Sequence, residues 1–223
     1  MGEKTQIRSV DGFSLGAYQA APGTLKGAVV VIQEIFGVNS HIREVVDGYA
    51  EAGYFAVAPQ IFDRVERDIE LGYEESDMGR GVAIAFQSLD RTLALQDIQA
   101  AIETASVHGK VAVVGYCFGG LLAWLSACEL EGLSAASCYY GGGVAGEVNR
   151  TAKCPVMMHF GELDAHIPQS DVAKVKESQP DVDVFVYDAD HGFNCDHRAS
   201  HNAAAAELAK SRTLDFFTQH LVA

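Results

Sequence analysis

Apolar and polar positions follow two periods along the chain. Short apolar runs recur at Ala28 to Glu34, Tyr54 to Ala58, Lys110 to Gly115, Ala135 to Tyr140, Val156 to Phe160 and Asp183 to Tyr187. They are rich in β-branched and aromatic residues and bounded by turn formers, which predicts buried strands. Between them lie stretches of helical character: Asn39-Ser40 to Ala52, stopped by Gly53, then Phe118 to Leu130, Gln169 to Ser178 and Ala199 to His220. Val82 to Ala105 carries Ile84, Leu89, Leu93, Leu95, Ile98 and Ile102 at helical spacing and predicts one long helix. Near the N-terminus, Thr5 to Val10 and Phe13 to Ala20 flank Asp11-Gly12, a pair suited to a hairpin turn. Asp63 to Gly81 is polar and glycine-bearing and yields no clear period.

Strands that are apolar throughout, alternating with helices, are expected of an α/β fold with a mostly parallel sheet covered on both faces. No repeat or Pro/Ser-rich linker interrupts the pattern, so residues 1–223 read as one domain. The balance of 16 Lys and Arg against 30 Asp and Glu gives a net charge of −14. Such a chain repels phosphate backbones, and nucleic acid is not an expected partner. The apolar runs are too short to span a bilayer, and the N-terminal residues lack a secretory h-region, so no membrane partner and a cytoplasmic location are expected. Five scattered cysteines, with no CxxC spacing, predict reduced thiols rather than a disulfide framework. The oligomeric state is not legible; a monomer is compatible with the pattern.

The chemistry-bearing segment is Gly115-Tyr116-Cys117-Phe118-Gly119, where a buried strand runs into G-x-C-x-G and then directly into an apolar helix. Flanking glycines leave room for a sharp turn that lifts the central side chain above the strand end. The Phe118 amide would lie at the helix N-terminus, where an anion is favoured. Partners for such a nucleophile should follow in order, an acid and then a histidine, each after a later strand. Asp164 and His191 stand at those places; Glu162 and Asp190 are alternatives for the acid. All three positions fall at the carboxyl edge of a parallel sheet.

Four separated segments, Gln33-Glu34-Ile35-Phe36-Gly37-Val38-Asn39, Gly115 to Gly120, Gly161-Glu162-Leu163-Asp164 and His191-Gly192-Phe193, resemble the dienelactone hydrolase family of the α/β-hydrolase fold. The resemblance implies a Cys117–His191–Asp164 triad, with Ile35 and Phe118 supplying oxyanion-hole amides. It implies that Glu34 sits beside the nucleophile and helps to activate the thiol. It also implies hydrolysis of an anionic lactone or ester, with Arg80 and Arg198 in the regions that receive the carboxylate and Phe36, Phe86 and Tyr139 as pocket residues. No cofactor and no metal is expected. Rival readings are a metal module built on His191, Cys195, His197 and His201, a non-catalytic binding protein on a hydrolase scaffold, and a redox thiol.

Overall fold

The computed structural model describes residues 2–222. A hairpin opens it: β1 (Glu3–Arg8) and β2 (Ser14–Ala20) pair antiparallel around Gly12, whose φ of +87° only glycine adopts easily. The Asp11 carboxylate accepts the Phe13 amide at 3.0 Å and tightens the turn. Six further strands follow: β3 (Ala28–Ile32), β4 (Phe55–Pro59), β5 (Val111–Tyr116), β6 (Leu133–Tyr139), β7 (Val156–Gly161) and β8 (Asp183–Tyr187). They form one eight-stranded sheet in the order β1-β2-β4-β3-β5-β6-β7-β8, parallel from β4 to β8. Every residue of β3, β4, β5 and β7 is buried, as expected of strands covered on both faces.

The helices are α1 (Ser40–Glu51), α2 (Glu75–Ala83), α3 (Arg91–Ser106), α4 (Phe118–Glu129), α5 (Gln169–Ser178) and α6 (Ala203–Leu221). Caps decide several starts. The Asn39 side chain accepts from the Ile42 amide, Asp90 from those of Thr92 and Leu93, and Asn202 from that of Ala205. Among the described residues no helix is long and apolar enough to cross a membrane.

Two boundaries differ from the sequence pattern. The long helix expected over Val82 to Ala105 is divided: α2 ends at Ala83, a π-helical turn spans Ile84–Ser88, and Leu89 turns extended before the Asp90 cap starts α3. Of these two helices only α3 packs on the sheet, against β3 and β4, and a capping aspartate competes with helix continuation across the break. The final helix begins at Ala203 rather than Ala199, because Asn202 is its cap. The strand expected over Ala28 to Glu34 leaves the sheet after Ile32, so Gln33 and Glu34 turn toward the functional edge.

Candidate active site

At the end of β5 the backbone turns sharply. Cys117 has φ +57° and ψ −115°, a region costly to any residue with a β-carbon, and α4 starts at the next residue. Close approach explains the glycines around it. A Cβ on Gly115 would overlap the Gly119 carbonyl, and one on Gly119 would overlap the carbonyls of Ile32 and Gln33. Backbone on both sides cannot yield as a flexible side chain would. Gly119→Ala is therefore expected to destabilise the fold by about 3 kcal/mol. Tm should fall by roughly 10 °C in a thermal melt.

The turn brings the Cys117 Sγ to 3.1 Å from His191 Nε2, and His191 Nδ1 to 2.7 Å from Asp164 Oδ2. Asp164 Oδ1 accepts the amides of His166 and Ile167 at 2.8 and 3.2 Å, which fixes the carboxylate. Asp164 and His191 are buried and Cys117 is partly open. Burial works against the His191 imidazolium, but the Asp164 carboxylate at one ring nitrogen and the Cys117 sulfur at the other outweigh it and hold the imidazole up to about 10. Burial likewise opposes charge on Asp164, yet the His191 contact and the His166 amide keep it below the ordinary carboxylate range. The other thiols are withdrawn: burial pushes Cys128 and Cys195 up to about 12 and Cys154 up to about 11, and raises Cys138 well above its usual value.

A cavity of about 380 Å³ opens onto the sulfur. Ile35, Phe36, Phe86, Phe118, Arg198 and His191 line it with Cys117, together with Met78, Val82, Leu121 and His166, which sequence reasoning did not single out. Met78 and Val82 lie four apart on α2 and share its inward face. That signal was hidden because α2 itself was not legible. Glu34 is fully buried beside this wall, with Arg198 Nη1 at 3.6 Å from its Oε1 and no hydrogen-bond partner on either oxygen among the described residues.

Other residues are not brought together there. Arg80 does not line the cavity: it turns outward, half-exposed, to pair with Glu66 at 2.6 Å, because it lies two positions from Met78 and Val82 and so on the opposite face of α2. Tyr139 does not line it either. It is wholly buried on the α6 side of β6, where its hydroxyl and His159 Nε2 meet Thr213 Oγ1 at 2.8 and 3.0 Å. Its neighbour Tyr140, just past the end of β6 with φ +35°, has its ring centroid 5.1 Å from that of His191. Glu162 is exposed, and Asp190 Oδ1 accepts the backbone amide of His191 rather than its ring. The set His191, Cys195, His197 and His201 is not assembled. Among the described residues, groups close enough to share an ion are His41, Glu44, Asp196 and His197, and Glu34, His41 and Cys195.

Residues 15–221 match the model of the dienelactone hydrolase family. The chain is 35% identical to a putative carboxymethylenebutenolidase of Synechocystis over 213 residues, covering 86% of each. It is 33% identical to a carboxymethylenebutenolidase of Pseudomonas putida over 225 residues, 96% of this chain and 95% of that one. In structure it resembles a putative dienelactone hydrolase from Klebsiella pneumoniae, with a TM-score of 0.85, 29% identity and 98% of both chains covered.

Proposed function

The chain belongs to the dienelactone hydrolase family and is a hydrolase of lactones or carboxylic esters; from that premise we propose that it works through a thioester on Cys117, with His191 as base and Asp164 as its orienting carboxylate. The observation that carries this reading is the unbroken line from Sγ through the imidazole to Asp164, at 3.1 and 2.7 Å. His191 Nε2, held up to about 10 beside Asp164 and the sulfur, takes the thiol proton before sulfur attacks the carbonyl carbon and keeps it through the attack. The amides of Ile35 and Phe118 receive the oxyanion. The intermediate collapses by breaking the acyl carbon–oxygen bond. The leaving oxygen takes the proton from His191 or departs as an enolate, leaving the acyl group on sulfur. Water then attacks the thioester, deprotonated by His191 where the leaving oxygen has taken the imidazolium proton, or by the enolate itself where it has not; the carbon–sulfur bond breaks, and the acid is released with the thiol and imidazole restored.

The nucleophile bears on the substrate. A tetrahedral adduct expels its better leaving group, and thiolate leaves more readily than a simple alkoxide, so ordinary alkyl esters return unreacted. Enol-lactones such as dienelactone, and aryl esters, expel a stabilised anion and go forward. Glu34 assists the thiol when its carboxylate swings from Arg198, and Arg198 is the cation available to a substrate carboxylate. Capture of the intermediate tests this: acid quench after mixing with p-nitrophenyl acetate should leave one acetyl group on the Cys117 peptide by mass spectrometry, removed by neutral hydroxylamine. An acetyl group found only on other residues would refute the thioester.

A further inference from the structure

We infer, on the premise of the Cys117 thioester proposed above, that His166 is the base that takes a proton from water when the acyl group on sulfur comes from an aryl ester. The two substrate classes differ at this step. Ring opening of an enol-lactone leaves the expelled oxygen tethered to the acyl chain, so an enolate stays beside the thioester and can deprotonate water. An aryl ester loses its phenolate, a weakly basic anion that diffuses away. His191 then still carries the proton it took from the thiol. In the free enzyme Asp164 and the sulfur hold that imidazole up to about 10, and once the sulfur is acylated the carboxylate remains at 2.7 Å to keep the proton there. An imidazolium has no lone pair with which to accept a second one. Release of the aryl-derived acyl group therefore needs another acceptor.

His166 is placed for that work. It borders the same cavity as Cys117 and His191, and it is exposed to water. Its ring stands edge-on to that of His191, with centroids 5.2 Å apart and planes at 81°. The backbone fixes it: the His166 and Ile167 amides donate to Asp164 Oδ1 at 2.8 and 3.2 Å, and the Ile167 side chain is buried. The carboxylate that orients the first imidazole thus also sets the position of the second. Other acceptors near the sulfur are committed. Asp164 is taken up by His191 and these two amides, Asp190 by the His191 amide, and Glu34 is fully buried and faces Arg198. Arg198 itself is no base. Among the described residues that line the cavity, His166 is the proton acceptor left uncommitted and open to solvent.

The step needs no co-reactant. A ring nitrogen of His166 takes one proton of water as the water oxygen bonds to the acyl carbon. The carbon–sulfur bond then breaks, its electron pair stays on sulfur, and the thiolate returns beside the His191 imidazolium. The carboxylic acid leaves with the second proton of that water, and His166 gives its own to solvent.

His166→Ala removes an exposed ring and keeps the amide that binds Asp164, so the fold should persist. Acetyl-enzyme is prepared with p-nitrophenyl acetate, freed of ester by rapid desalting, and followed by intact mass as it decays. The deacetylation rate constant should fall about a hundredfold in His166→Ala and in His166→Gln, and added imidazole should restore part of the loss. Acylation, read by stopped flow as release of p-nitrophenolate, and kcat for dienelactone should fall by no more than about threefold. Equal deacetylation rates in wild type and His166→Ala overturn the inference and leave the thioester standing. A parallel fall in acylation and in dienelactone turnover also overturns it, since His166 would then act by positioning His191. No acetyl group on Cys117 of wild type overturns the thioester and, with it, the base assigned to its release.

Discussion

Cys117→Ala lowers kcat/KM for aryl esters and enol-lactones by roughly 10⁴-fold or more, leaving only what the oxyanion amides and substrate binding provide. Alanine fits the turn without new contacts, so the protein should melt as wild type does, and circular dichroism with a thermal scan separates lost chemistry from lost fold. Cys117→Ser is the sharper variant. A hydroxyl is a weaker acid than a thiol, and its alkoxide is a poorer leaving group from the tetrahedral adduct. Lactone turnover should fall severely, while weak activity on aryl esters persists above the alanine level. Equal rates for wild type and Cys117→Ala on p-nitrophenyl acetate would remove sulfur from the mechanism.

Asp164→Asn is expected to reduce kcat by roughly 10³–10⁴-fold with little change in KM. The amide keeps the shape of the carboxylate but not its charge, and its NH₂ can donate to His191 Nδ1 and impose the wrong tautomer. The imidazole should then titrate well below the value of about 10 that it holds beside Asp164 and Cys117. An NMR titration of His191 reads this directly. The stability follows with a definite sign. His191 is raised above its ordinary 6.5, so its contribution is complete below that pH and is lost as pH rises through about 10. Asp164 is lowered from 3.8, so its contribution is present above that pH and lost as the medium becomes more acid. Wild type should therefore exceed the variant in unfolding free energy by most at neutral pH, with the gap closing toward both extremes. A gap independent of pH would deny the ion pair its assigned part.

Much of the fold was legible because burial on both faces leaves an unmistakable run of apolar residues. The strands from β3 to β8, α1, α4 and α5 all appear near their expected bounds. The region from Asp63 to Leu89 was not, since α2 is short, polar and half-exposed and gives little periodicity. That gap had a cost at the site. Without the phase of α2, nothing distinguishes Arg80, which faces Glu66, from Met78 and Val82, which face the sulfur. Tyr139, the last residue of β6, poses the same problem, since adjacent strand residues point to opposite faces and the pattern is apolar on both.

By itself the sequence determined the order of strands and helices, the strained turn at Cys117 and the family, because each rests on local residue types: glycines beside a cysteine, apolar runs of fixed length, an acid and a histidine after successive strands. Only the tertiary structure decided how far apart the three side chains lie, which arginine faces the cavity, what already neutralises it and how apolar the surrounding wall is. Those are properties of side-chain direction and of contacts between residues distant in the chain, such as Arg198 with Glu34 and His191 with Cys117, and no local pattern encodes them.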